Sequence, residues 1–167
     1  MKKINYIILL MLTILVASCE PTFEKQYNWA YPVTGEWTVK AYIDGEAIVS
    51  KPFEIKSYNS SIGKDSIWID DIVTYAPGYG FWDFQAKVAV NMATKTFGNG
   101  KDSVFSVVPD YEIGVKVKNG KVINNDSIYF EIEFEDDTDG NGDPDPYGTT
   151  YQIAGHRTTS YDEYMQK

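Results

Sequence analysis

Gly35-Glu36-Trp37-Thr38-Val39-Lys40-Ala41-Tyr42-Ile43 is the stretch that decides the fold. Successive side chains of an extended chain point to opposite faces. Trp37, Val39, Ala41 and Ile43 therefore share one face, and Glu36, Thr38, Lys40 and Tyr42 the other. That is one half-buried strand, and Asp44-Gly45 just beyond it is a hairpin signal. Moving outward, the spacing predicts a second strand from about Glu46 to Lys56 and another around Ile67 and Ile69. Trp82, Phe84, Ala86, Val88 and Val90 oppose Asp83, Gln85, Lys87 and Asn91. Asn99-Gly100 reads as a turn. Ile113, Val115 and Val117 alternate with Lys116 and Lys118, and Asn119-Gly120 reads as the next turn. Ile128, Phe130, Ile132 and Phe134 lie opposite Tyr129, Glu131, Glu133 and Glu135, and a last strand runs from about Thr149 to Thr159.

About eight strands with short connections and one apolar face each must hide those faces, and no helical period long enough to cover them follows residue 20. Short connections favour antiparallel neighbours. The expected fold is all-β, an eight-stranded antiparallel up-and-down barrel over residues 34–167. A barrel of this size is filled by its own side chains or holds one small ligand.

Gly35-Glu36-Trp37 resembles the G-x-W signature of the calycins, the lipocalins and their relatives. The resemblance implies that Trp37 plugs one barrel end and that a cation late in the last strand packs across it. Arg157 in Gly155-His156-Arg157 stands at that place, so Gly35, Trp37 and Arg157 form the expected barrel closure. The wider pattern is similar to a family of Gram-negative lipoproteins described as lipid-binding putative hydrolases. It covers Tyr27-x-Trp29-Ala30-Tyr31-Pro32-Val33-x-Gly35-x-Trp37 and Tyr151-x-Ile153-x-Gly155-His156-Arg157. The resemblance implies a calycin-like fold and lipid binding, and it carries no catalytic residue onto this chain.

The first eighteen residues read as an export signal: Lys2 and Lys3, an apolar run from Ile7 to Val16, then small Ala17 and Ser18. That run is too short to span a bilayer, which needs about 20 apolar residues. Val16-Ala17-Ser18-Cys19 resembles the lipobox of bacterial lipoproteins, which implies cleavage before Cys19 and acylation of it. Two or more acyl chains hold a protein on a membrane stably. Cys19 is the single cysteine and forms no internal disulfide. Residues 19–33 are then a lipidated tether and lead-in segment. The expected location is the envelope of a Gram-negative bacterium, at the outer membrane. Glu20 and Glu24 leave the periplasmic and surface faces both open.

Without its first eighteen residues the chain has 149 residues, with 13 basic and 24 acidic side chains, a formal charge of −11. Such a field repels nucleic acid and anionic lipid surfaces, so the anchor rather than the body meets the membrane. A monomer is expected. The 13 Tyr, 8 Phe and 4 Trp suit strands and equally suit an apolar or sugar-binding wall.

The acidic stretch Asp136 to Asp145 places Asp137, Asp139, Asn141 and Asp143 at alternate positions with Gly142 among them, as calcium loops do. The same residue types make a solvated hairpin tip. Calcium is the one cofactor to consider. The position where a bidentate glutamate should close the loop is Gly148. His156 is the single histidine, and the chain lacks G-x-S-x-G, so a serine hydrolase has little to stand on. Glu131, Glu133 and Glu135 share a strand face and read as its wet side rather than as a carboxylate pair.

Tyr75-Ala76-Pro77-Gly78-Tyr79-Gly80-Phe81-Trp82 is a loop with more aromatics than a core can take, either a seal packed over the barrel end or a candidate binding rim or lid. Trp37, Tyr79, Trp82, Phe84, Phe130 and Phe134 are the candidate ligand-binding residues of the interior or rim. Two functions follow, with a hydrolase, which rests on the description of the resembling family alone, a distant third. One is a lipid-anchored barrel that binds a small apolar ligand. The other is a filled barrel that acts as an accessory or structural protein through its surface.

Overall fold

The computed structural model describes residues 28–71 and 80–158. Ten strands and one 3-10 turn, Tyr31–Val33, make up its regular structure. The strands are β1 (Gly35–Ile43), β2 (Glu46–Ala47), β3 (Phe53–Asn59), β4 (Ser66–Asp71) and β5 (Gln85–Asn91). They continue with β6 (Thr96–Phe97), β7 (Val104–Phe105), β8 (Gly114–Ile123), β9 (Ser127–Phe134) and β10 (Tyr151–Arg157). Every pairing is antiparallel, in the order β10-β9-β8-β6-β5-β4-β3-β1, and β1 pairs with β10 to shut the ring. This is the expected eight-stranded up-and-down barrel, with β2 and β7 as short additions.

The inward alternation is as the sequence reads. Trp37, Val39, Ala41, Ile55, Ile67, Ile69, Ala86, Val88, Phe130, Ile132 and Ile153 are all buried. Trp37, Phe130 and Phe134 are among the largest fully buried side chains, so the middle of the barrel is packed with its own residues.

Four expectations need correction. The strand predicted from Glu46 to Lys56 stops at Ala47 and restarts at Phe53. Pro52 has no N–H to give a ladder, and the chain leaves the sheet ahead of it. Asn119-Gly120 is not a turn but a bulge within β8, where the register to β9 shifts between Lys118 and Lys121. Asn119 takes the left-handed conformation (φ 53°) that a turn would also require. The real hairpin into β9 uses Asn124 and Asn125, both with positive φ. Asn99-Gly100 does turn, with Asp102 N donating to Asn99 O, but it does not join two neighbouring strands. β6 and β7 share one place in the ring, both paired to β8, and the chain bulges out between them. Finally, β5 begins at Gln85, leaving Trp82 in the loop before it.

The bulge between β6 and β7 would leave β5 short of partners. Asn99 fills the gap: its side-chain oxygen accepts from Ala89 N (3.0 Å), its amide nitrogen donates to Lys87 O (3.4 Å), and its own N–H donates to Val117 O (2.8 Å). The carboxamide takes the place of a missing peptide unit.

Candidate functional site

The two ends of the barrel differ. At one end, Trp37 on β1 is the register partner of Arg157 on the neighbouring β10. The Arg157 guanidinium lies 4.3 Å from the Trp37 ring centroid and 5.4 Å from that of Tyr31. Arg157 Nη1 donates to Thr34 O (2.7 Å) and Nε to Asn125 O (3.0 Å). A Cβ on Gly35 would stand 2.0 Å from Nη1, and Gly35 has φ +152°. Only glycine fits there, which is the physical content of the G-x-W pattern. Trp37 Nε1 donates to Ser57 Oγ (2.8 Å), which donates to Val33 O (2.9 Å), so the 3-10 turn is tied over this end. This end is sealed.

The other end, which we call the mouth, is covered by a layer of aromatic rings. Trp82 stacks on Phe134 at 4.3 Å with planes 6° apart. Phe81 meets Tyr151 edge-on at 5.0 Å and Phe53 at 5.7 Å, and Phe84 lies 5.7 Å from Phe134. Phe84 and Phe134 are buried, while Phe81 and Trp82 are half-buried and form the outer layer. Asp71 holds that layer in place. It is fully buried at the end of β4, and one carboxylate oxygen accepts the N–H groups of Phe81 (2.9 Å) and Trp82 (3.0 Å). Beside the rings lies a cleft of about 610 Å³, lined by Ile48, Val49, Ser50, Lys51, Pro52, Phe53 and Gly80. Ile48 is 43 % exposed, so this strap offers apolar surface to a ligand. The size is that of ordinary small-molecule sites, about 300–1,000 Å³.

The candidate ligand residues therefore separate. Trp82, Phe84 and Phe134 come together at the mouth. Trp37 belongs to the sealed end, and Phe130 lies within the barrel, 5.9 Å from Phe97. Tyr79 lies outside the described residues, as does most of the Tyr75–Trp82 loop. Phe53 and Asp71 were not singled out by sequence, and Phe81 was read only as part of the Tyr75–Trp82 loop. Phe53 could have been found as the first apolar residue after Pro52. Nothing local marks Asp71 as a buried cap.

The acidic hairpin rises from the same end. Asp137 turns inward, 3 % exposed, and accepts from Thr138 N (2.9 Å), Thr149 N (3.1 Å) and Tyr151 Oη (3.0 Å). Burial and the Asp137 carboxylate push the Tyr151 phenol up to about 12. Asp139 accepts from the N–H groups of Asn141 and Asp143 and from the Asn141 amide, which holds its carboxyl below the usual range. These carboxylates close the hairpin's own backbone. Among the described residues, no three His, Cys, Asp or Glu side chains are grouped to hold a metal ion.

The three glutamates of β9 go to separate partners. Glu133, 6 % exposed, meets Lys118 Nζ, Thr150 Oγ1 (2.7 Å) and Lys116 Nζ (3.9 Å). Burial works to raise its pKa, but these cations and the hydroxyl outweigh it and the net shift is downward. Glu135 accepts from Gly114 N (2.7 Å) and Glu131 from Asn119 and Tyr129. His156 sits on the outside of β10, exposed. None of this is an acid–base pair facing a pocket.

A closed eight-stranded barrel is filled by its own side chains or holds one small ligand. The chain belongs to the family described as lipid-binding putative hydrolase, whose model matches residues 23–162. Family and barrel together support a lipid-binding role. Among the curated proteins, none matches the chain.

Proposed function

We propose that this protein is a lipid-anchored envelope protein whose barrel mouth binds a single apolar chain, such as an acyl chain. The observation that carries the reading is the asymmetry of the ends. One is closed by Trp37, Arg157 and the 3-10 turn, and the other ends in the half-buried Phe81–Trp82 layer beside the cleft of Ile48 to Phe53. Because the middle is filled, the ligand lies at the mouth and not along the barrel axis. It enters by lifting Phe81 and Trp82 off Phe134 and Tyr151. The anchor belongs to the same proposal. Cys19 carries acyl groups at the outer membrane and the acidic body faces water, the support for this being the signal-like residues 1–18 and the formal charge of −11.

Native mass spectrometry of residues 20–167, purified without detergent, tests the ligand reading. All described contacts fall within residues 28–158, so that chain keeps the barrel whole. A co-purified apolar mass, or uptake of a fatty acid or phospholipid from added lipid, is the expected result. An apo mass that takes up neither would favour the second reading, a filled barrel that acts through its outer surface, which the packed middle supports.

A further inference from the structure

The outer wall carries a recess of about 790 Å³ where β5, β6, β8 and β9 meet. It exists because the wall is thin there. β6 is only two residues long, and Gly98, Gly100 and Gly120 bring no side chains. Two of these cannot be anything else: a Cβ on Gly98 would stand 2.6 Å from the Val117 carbonyl, and one on Gly120 2.3 Å from the Phe97 ring. The β8 bulge adds a second device. Its left-handed Asn119 swings the amide across to β9, where Nδ2 donates to Glu131 Oε2 (2.8 Å). Tyr129 Oη donates to the other carboxylate oxygen (2.9 Å), and Lys121 Nζ stands 5.1 Å from the Tyr129 ring centroid. Thr96 and Asn91 form the facing edge.

We infer that this recess is a binding site for a neutral oligosaccharide. Sugar hydroxyls donate and accept at once, and the walls offer both: a carboxylate and amide oxygens to accept, an ammonium and amide N–H groups to donate. The Tyr129 ring gives a flat platform for the C–H face of a pyranose once the Lys121 ammonium, 5.1 Å from the ring centroid, swings aside to a sugar hydroxyl. Lys121 and Glu131 cancel in charge, and the chain's net charge of −9 works against an anionic ligand. An extended peptide would find no free strand edge, because β8 and β9 are paired to each other on either side of the bulge. The recess lies on the outside of the wall, so its occupation is independent of a lipid at the mouth.

The test is amide NMR on the full chain in a sugar-free amine-oxide detergent, titrated separately with cellotetraose, maltotetraose and chitotetraose. At least one should shift amides at 96–100, 119–121 and 129–131 saturably. Tyr129→Ala should weaken that binding by about tenfold or more, whereas Tyr129→Phe should stay within about threefold, the ring being kept. Tyr129 is only partly buried and faces outward, and unchanged amide positions at Trp37 and Phe130 would show each variant folded. The inference is overturned if none of the three sugars gives a saturable shift at the recess. It is also overturned if the shifts fall at residues 48–53 and 81–82, or if Tyr129→Ala binds as the parent does.

Discussion

Replacing Arg157 with Met keeps the aliphatic stem and removes the guanidinium, so it isolates what the cation does at the sealed end. Losing the stack on Trp37 costs about 0.5–2 kcal/mol. Thr34 is 5 % exposed, so its carbonyl loses the Nη1 bond without regaining water, at about 1–3 kcal/mol. The Asn125 carbonyl is on an exposed hairpin and rehydrates. Part is offset, because Arg157 Nη2 is buried without a hydrogen-bond partner among the described residues. The net expectation is a loss of about 2 kcal/mol, or about 4–8 °C in Tm for a chain of this size. Urea unfolding followed by far-UV circular dichroism should show a lower midpoint at unchanged slope. Gly35→Ala sharpens the test, since its Cβ would lie 2.0 Å from Nη1. In the Arg157→Met background that clash disappears and only the strain at φ +152° remains. The double mutant should therefore cost less than the two singles combined, by at least about 0.5 kcal/mol. Strict additivity, or an Arg157→Met loss under about 0.5 kcal/mol, would refute the claim that the guanidinium seals this end.

Three further outcomes are expected. Asn99→Ala deprives Ala89 N of its acceptor, so its amide should exchange with deuterium at least about tenfold faster while global stability falls by about 1 kcal/mol. Glu133 has a lowered pKa in the folded barrel, so the stability it adds is present above the ordinary glutamate value, about 4.3, and is lost as pH falls through the folded value. Glu133→Gln should flatten the acid limb of a stability-versus-pH curve, and an unchanged limb would contradict its pairing with Lys118. Burial and the Asp137 carboxylate push the Tyr151 phenol up to about 12, so its contribution is whole below the ordinary tyrosine value of about 10 and is lost as pH rises toward 12. In Asp137→Asn the nearby negative charge is gone, and ultraviolet titration should find that phenol lower than in the parent.

Much of the barrel was legible because alternation is a direct record of which face is wet. Trp37, Val39, Ala41 and Phe130, Ile132, Phe134 read correctly for that reason. What failed was punctuation. Asn119-Gly120 and Asn124-Asn125 both supply left-handed backbone, and the chain uses the first for a bulge and the second for the hairpin. Local chemistry is the same at both, and only the partner strand distinguishes them. The split of one strand into β6 and β7 was equally hidden, since it depends on the Asn99 side chain standing in for backbone. The sealed end was legible through Gly35, Trp37 and Arg157. The mouth was legible in part, because Trp82 stands out in sequence, whereas an aspartate that caps its backbone does not. Asp71 looks like any strand-end acid until the fold brings Phe81 and Trp82 over it.

Photo-crosslinking will show whether an apolar ligand sits at the mouth. A fatty acid bearing a terminal diazirine would be incubated with the protein, irradiated, and its adducts located by peptide mass spectrometry. Adducts are expected on Phe81, Trp82 and the strap from Ile48 to Phe53, reduced by competing unlabelled fatty acid. Adducts confined to the outer wall, or labelling that unlabelled fatty acid does not reduce, would contradict a ligand at the mouth.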